Sequence, residues 1–285
     1  MSRLKKRPYR DEVALSVVGL GGMLLVGMSQ DRVNLLVRKS FEQGVNYFDV
    51  APFYGDGEAE KKMGAALEGI RPGIFLACKT LERSAKGASL ELKRSLKRLR
   101  TDHFDLYQFH AVMTIGEVKK IFAAGGAMEA FLEAREEGKI RYIGFSAHSV
   151  EAALAMLERF DFDSVLFPVN FVCWYKGNFG PQILQKAKEK NVSCLGLKAL
   201  ALGPWPKGVE RRYPKCWYQP IEDRELAALA VRFALSEDIT AIVPPGELPF
   251  FKMALEIARD FTELTPDERA VLVEKAKKLK PLLKE

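Results

Sequence analysis

Four residues of this chain are of the types that together can deliver a proton: Asp49, Tyr54, Lys79 and His110. A phenol has an ordinary pKa of about 10 and is a poor acid near neutrality. A neighbouring ammonium favours the phenolate and so lowers that value. A carboxylate at position 49 would keep Lys79 charged and in place, and an imidazole at position 110 would orient a carbonyl oxygen through a hydrogen bond. The chemistry this suits is protonation of a carbonyl as it is reduced. No side chain supplies a hydride, so the reaction would need a nicotinamide or a flavin. Taken singly, each residue has a plainer reading. Asp49 can be a solvated strand end, Lys79 the partner of any carboxylate, and His110 a satisfied core histidine. What decides between these readings is whether the chain brings the four together.

Asp49 closes the apolar run of Gly44-Val45-Asn46-Tyr47-Phe48-Asp49 and is followed by Val50-Ala51-Pro52-Phe53-Tyr54-Gly55. Val45, Tyr47 and Phe48 suit a buried strand, and Pro52, Gly55 and Gly57 stop it and open a loop that carries Tyr54. Similar apolar runs recur along the chain. Strands are expected over residues 15–20, 74–79, 104–109, 140–145, 164–169, 193–197 and 239–243. Helices are expected over 31–43 (capped by Asp31), 58–67, 88–99, near Val118, and over 127–136, 150–159, 182–190 and 224–235. Two helical segments close the chain, the last after a Thr265-Pro266 start signal. With the strand at Asp49, this makes eight buried strands alternating with helices. Near-continuous apolar strands are covered on both faces, and one crossover helix per strand implies parallel, right-handed pairing. The expected fold is α/β, a single (β/α)8 TIM barrel over residues 1–285 with a short N-terminal extension and C-terminal helices. A doubly wound sheet is the alternative, but no strand-to-helix turn carries the spaced G-x-G-x-x-G phosphate loop. Barrel sites form at the carboxyl ends of the strands. In order, those ends hold Gly21-Gly22-Met23, Asp49, Lys79, His110, Ser146, Asn170, Lys198 and Pro244.

Composition narrows the class further. Of the 285 residues, 48% are hydrophobic and 28% charged, the balance of a packed globule rather than a disordered chain. The net charge of +7 is spread over helical segments that also carry acids, as on the basic face of Lys93, Arg94, Lys97 and Arg98, which reads as solvated helix surface. No nucleic-acid partner is expected from it. Cys78, Cys173, Cys194 and Cys216 have no C-x-x-C spacing, and the three histidines are not spaced as metal ligands. No metal site is expected, and the thiols fit a reducing cytoplasm. Lys5, Lys6 and Arg7 before the apolar run from Val13 to Met28 mimic a signal peptide. However, Asp11, Glu12 and the glycines inside the run favour a first strand and a glycine turn. No other run approaches the length of a membrane span, so no membrane partner is expected.

Several segments together resemble the aldo-keto reductase family. They are Gly44 to Asp49 continuing through Tyr54-Gly55 to Glu58 and Gly64; Leu76-Ala77-Cys78-Lys79-Thr80; Asp105-Leu106-Tyr107-Gln108-Phe109-His110; and Gly138-Lys139-Ile140-Arg141-Tyr142-Ile143-Gly144-Phe145-Ser146. The resemblance covers nearly the whole chain. It implies a nicotinamide-dependent reductase of a small aldehyde or ketone, with a catalytic tetrad of Asp49, Tyr54, Lys79 and His110 and with Tyr54 as proton donor. It implies NADP(H) as cofactor, with NAD(H) as the alternative, near Gly22, Met23, Asp49, Ser146, Asn170, Lys198, Leu200 and Pro244. Some positions depart from the family pattern. Ala147 and His148 follow Ser146 where the family has an Asn that helps bind the carboxamide, and Leu166 stands where a Gln usually joins it. Pro245-Gly246-Glu247-Leu248-Pro249 lacks the Lys, Ser and Arg that hold a 2′-phosphate, leaving Lys252 and Arg259 as substitutes. These departures motivate a second reading, a weakly active or inactive barrel that acts as a cofactor sensor or interaction subunit. Phe53, Trp174, Tyr175, Trp205 and Trp217 are candidates for an aromatic substrate pocket, with two or three of them expected only to pack the loops.

Overall fold

The computed structural model describes residues 4–285. The chain opens with an antiparallel hairpin of β1 (Lys6–Arg10) and β2 (Val13–Ser16), then enters the barrel at β3 (Leu20–Gly21). The other barrel strands are β4 (Tyr47–Asp49), β5 (Phe75–Thr80), β6 (Phe104–Val112), β7 (Ile140–Ala147), β8 (Ser164–Pro168) and β9 (Ser193–Leu197). A second hairpin, β10 (Ala201–Pro204) with β11 (Tyr218–Pro220), comes before the last barrel strand, β12 (Ala241–Val243). The eight barrel strands pair in parallel in the order β12-β9-β8-β7-β6-β5-β4-β3. The ring closes where Gly19 donates to the Ile242 carbonyl at 2.8 Å and Ile242 donates to the Val17 carbonyl at 2.9 Å. The eight-stranded barrel expected from the alternation is the fold observed.

Around the barrel run α1 (Gln30–Glu42), α2 (Glu58–Ala66), α3 (Ala85–Leu99), α4 (Ile115–Phe122), α5 (Ala127–Glu136), α6 (Val150–Arg159), the short α7 (Phe171–Tyr175), α8 (Pro181–Glu189), α9 (Arg224–Ser236), α10 (Leu248–Arg259) and α11 (Pro266–Lys278). Most match the helical periodicity within a turn. The start of α1 is a correction: the residue at its N-cap is Ser29, while Asp31 lies in the first turn, where its charge favours the helix dipole. The start of α11 is as expected, with Thr265 and Glu268 forming a reciprocal capping box. Among the described residues no helix is long and apolar enough to cross a membrane, and no cluster of His, Cys, Asp or Glu is arranged to hold a metal ion.

Side chains alternate in and out along each strand. The inward set includes Tyr47 of β4, Phe75 and Ala77 of β5, Leu106 of β6, Tyr142 of β7, Leu166 of β8, Leu195 of β9 and Ala241 of β12, packed as one buried cluster inside the barrel. The first hairpin stoppers this interior from the amino ends of the strands. Tyr9 and Leu15 join the cluster, and the Tyr9 ring meets Phe75 at 4.9 Å and Tyr142 at 5.4 Å. Its hydroxyl bonds Ser164 Oγ at 3.0 Å, which satisfies that buried polar atom.

The glycine of the family-like segment also has a packing reason. A Cβ on Gly64 would lie 2.5 Å from the Arg98 carbonyl oxygen and 2.7 Å from Leu99 Cα, so α2 rests directly on the backbone end of α3. Gly64→Ala is expected to destabilise the protein by about 1–3 kcal/mol, the cost of overpacking a site whose neighbour is backbone and cannot rotate away. Chemical denaturation would show it as a lower midpoint at unchanged slope.

Candidate active site

The open end of the barrel holds a cavity of about 380 Å³ bordered by Asp49, Tyr54, Lys79 and His110. Three of them sit there by strand parity. Asp49 follows the inward Tyr47 by two residues, Lys79 follows Ala77, and His110 lies two beyond Gln108, so each continues its strand's inner row to the carboxyl end. Tyr54 comes from the loop after β4. That loop turns through three successive left-handed residues, Gly55 (φ 62°), Asp56 (φ 49°) and Gly57 (φ 81°), before α2 begins. Two of the three are glycine, which takes this conformation without a Cβ penalty.

Asp49 and Lys79 form a buried ion pair through Oδ1 and Nζ, exposed by only 2% and 1%. The other carboxylate oxygen, Oδ2, accepts from the Tyr47 hydroxyl at 3.1 Å and from Gln108 Nε2 at 3.3 Å. Tyr47 and Gln108 hold the carboxylate, a role not expected from their residue types. The pattern that points to them is the i, i+2 spacing that puts them on the same inner rows as Asp49 and His110. Burial pulls the Lys79 ammonium toward neutrality, but Asp49, followed by Tyr54, opposes this and leaves its pKa above the ordinary lysine value. The Lys79 nitrogen lies 5.7 Å from the centre of the Tyr54 ring, and the Tyr54 and His110 rings meet edge to face at 5.9 Å.

The expectation that Lys79 lowers the Tyr54 pKa is reversed in net direction. Part of Tyr54 faces the cavity, yet the residue is closely enclosed. Burial raises its pKa by more than the Lys79 ammonium lowers it. At neutral pH the phenol therefore carries its proton, which is the form a donor needs. The ammonium still favours negative charge on that oxygen once the proton has left.

The inner row of β6 ends in a β-bulge beside His110. The register between β6 and β7 slips between Phe109 and Val112, and Ala111 takes a left-handed φ of 53°. Bulges of this kind re-aim a side chain. The Ala111 amide donates to Ser146 Oγ at 2.8 Å, and Arg83 Nη2 donates to the His110 carbonyl at 2.6 Å, which pins both sides of the kink. Burial first, then the Lys79 charge, holds the His110 imidazole well below its ordinary pKa, so it is neutral near pH 7. Its Nδ1 is buried without a hydrogen-bond partner among the described residues.

Of the residues expected near a cofactor, Met23, Asp49, Ser146, Lys198 and Pro244 border the cavity. Gly22, Asn170 and Leu200 do not. Gly22 packs on Val50, where a Cβ would lie 2.7 Å from Val50 Cγ2, and Leu200 is buried in the core. Asn170 is spent on structure. Its Oδ1 accepts from the amides of Val172 and Cys173, capping α7, and its Nδ2 donates to the carbonyls of Lys198 at 3.2 Å and Ala201 at 2.7 Å. Leu166 presents an apolar face to the cavity, while Ala147 is buried outside it. Glu247 accepts from the Lys215 amide at 3.2 Å. Lys215 itself borders the cavity, and its loop position gave no hint of this.

Of the five aromatic candidates, Phe53 and Trp217 border the cavity and are 68% and 52% exposed, so they form an apolar lip. The other three lie away from it, Trp205 packing a loop as expected and the other two a contact between helices. Trp174 and Tyr175 lie on Phe233, and Trp205 Nε1 donates to the Cys216 carbonyl at 2.8 Å. A larger cleft of about 630 Å³ opens near Arg7, Ser193 and Thr240 at the stoppered end, and none of the four acid–base residues borders it.

The family model described as "Aldo/keto reductase family" matches residues 17–265. Among curated proteins, the chain is 32% identical over 155 residues to the "Uncharacterized oxidoreductase YqkF" of Bacillus subtilis, covering 50% of this chain and 48% of that protein. It is 29% identical over 203 residues to the Aldo-keto reductase YhdN of the same organism, covering 67% and 59%. These alignments span roughly half to three fifths of the relatives' lengths. Among solved structures, the holo form of the aldo-keto reductase AKR11C1 from Bacillus halodurans superposes with a TM-score of 0.76 at 25% identity, covering 99% of both chains. An aldo-keto reductase from Klebsiella pneumoniae in complex with NADPH has the same fold, with a TM-score of 0.73 at 20% identity over 100% of this chain and 98% of the other.

Proposed function

The chain belongs to the aldo/keto reductase family, and from that premise we propose that it reduces an aldehyde or ketone to the alcohol, using NADPH as hydride donor and Tyr54 as proton donor. The observation that carries this reading is the convergence of Tyr54, His110 and the Asp49–Lys79 pair on one cavity.

The cavity suits a nicotinamide. Leu166, Leu197 and Val243 offer an apolar wall for the flat ring, and Ser146 offers a hydroxyl for its carboxamide. When bound, the nicotinamide supplies the hydride that becomes the C–H bond of the alcohol. The residues of this chain supply the rest. His110, neutral and with its proton on Nε2, donates a hydrogen bond to the substrate oxygen and fixes the carbonyl's orientation. As negative charge grows on that oxygen, the Tyr54 hydroxyl gives up its proton, and the phenolate left behind is stabilised by the Lys79 ammonium. Asp49 keeps that ammonium charged and stationary. Water at the open mouth returns a proton to Tyr54. Phe53, Trp217 and Leu81, all exposed and apolar, favour an apolar body on the substrate. The solved K. pneumoniae barrel holding NADPH supports the choice of that cofactor, with NADH as the alternative.

NADPH deuterated at the transferable C4 position provides the test. The alcohol formed from a simple aldehyde should carry deuterium on its carbinol carbon. Cofactor binding without label transfer, across a panel of aldehydes and ketones, would instead favour a cofactor sensor. If neither NADPH nor NADH binds, the enzyme reading fails.

A further inference from the structure

Lys198 is a buried lysine with no acid beside it. It is 6% exposed and borders the same cavity as Tyr54 and His110. Its Nζ lies 2.6 Å from His148 Nε2 and 5.4 Å from the centre of the Trp217 ring, and among the described residues it forms no ion pair. Among the described residues the Asp49 carboxylate is the only one bordering the cavity, and it is already committed to Lys79, Tyr47 and Gln108. Lys79, Lys198 and Lys215 all border the cavity, so the lysines outnumber the carboxylates there by three to one. Burying an uncompensated ammonium is costly. The site buries this lysine nonetheless, on a backbone held at a left-handed φ of 63°, a conformation that lysine seldom adopts. The cost shows in the titration of both groups. Burial brings Lys198 down to about 7, and burial followed by the Lys198 charge brings His148 down to about 3. His148 is thus a neutral acceptor for one ammonium proton, and the other two remain available for a ligand.

We infer that the Lys198–His148 pair is a subsite for a carboxylate carried by the substrate, so that the favoured substrates are oxo-acids, aldehydes or ketones with an acid group at the far end from the reacting carbonyl. The inference rests on the proposed carbonyl reduction for its substrate class, but not for the subsite itself. A carboxylate there accepts charge-assisted hydrogen bonds from Nζ, the strong kind, and supplies the counterion that the cavity lacks. The Trp217 ring over the ammonium limits its contact with water on one side.

The experiment has a binding arm and a turnover arm. In the first, calorimetry compares butanoate with butanamide, with and without saturating NADPH. Butanoate is expected to bind at least tenfold more tightly, and Lys198→Met is expected to bring the ratio close to one, with Lys198→Arg keeping part of it. In the second, kcat/KM for 4-oxobutanoate should exceed that for its methyl ester at least tenfold, and the ratio should collapse in Lys198→Met. The wild-type ratios decide the matter even if Lys198→Met does not fold. Turnover of both substrates without preference for the acid overturns the subsite and leaves the reductase standing. Preferential butanoate binding without turnover does the reverse. If Lys198→Met weakens NADPH binding tenfold but leaves the butanoate-to-butanamide ratio intact, the ammonium serves a phosphate or amide of the dinucleotide, and the inference fails.

Discussion

Replacing Tyr54 with Phe is expected to lower kcat by about 10²–10⁴-fold, the usual contribution of a positioned general acid. The substitution removes one oxygen and little else. The ring that meets His110 edge to face and lies near the Lys79 nitrogen is retained, so the walls of the cavity should stay in place. The dissociation constant of NADPH should therefore be unchanged, and the thermal midpoint nearly so. A loss confined to kcat marks an interaction made only as the reaction proceeds. Kinetics at saturating cofactor, paired with fluorescence titration of NADPH, separates the two quantities. If Tyr54→Phe keeps more than about a tenth of the wild-type kcat, less than the smallest effect expected of such an acid, the proton comes from elsewhere and the proposed role of Tyr54 is wrong.

Asp49→Ala is expected to cost about 3–5 kcal/mol of folding stability, because it strands a buried charge. The carboxylate receives three donors, Lys79 Nζ, the Tyr47 hydroxyl and Gln108 Nε2, and all four residues are buried. Removing it leaves the Lys79 ammonium without a counterion and two further polar groups without an acceptor. The double variant Asp49→Ala, Lys79→Met should recover part of that loss, since removing both charges avoids the uncompensated one. Urea denaturation of the two single variants and the double variant forms the cycle that measures this coupling. A loss below about 1 kcal/mol in Asp49→Ala would put the pair in the range of exposed ion pairs and would contradict its burial.

Much of this arrangement was legible in the sequence because barrel strands repeat with period two. Tyr47 and Asp49, Ala77 and Lys79, and Gln108 and His110 share inner rows, so strand parity alone puts three acid–base residues at one end of the barrel. What could not be read depends on contacts between distant segments. The hairpins β1–β2 and β10–β11 are defined by backbone pairing, and their short runs carry no distinctive period. Asn170 lies at a strand end like Asp49, but its short amide is used up in capping the helix that follows. The net direction of the Tyr54 shift depends on how much protein encloses the phenol, which residue types do not reveal. His148 and Lys198 are 50 positions apart, and nothing in either segment announces that their nitrogens meet. The bulge at Ala111 was equally silent, since alanine is no signal for a left-handed φ.

The plug formed by Tyr9 and Leu15 also bears on where a ligand can approach. With the amino end of the barrel filled by Tyr9 and Leu15, the cavity lies at the carboxyl end, beside the exposed rings of Phe53 and Trp217. If the proposed reduction takes place there, a ligand seated beneath another has to be loaded before it and released after it, and product-inhibition kinetics would show that order. No residue of the hairpin borders the cavity, yet by filling the back of the barrel it leaves the carboxyl end as the side from which a ligand approaches.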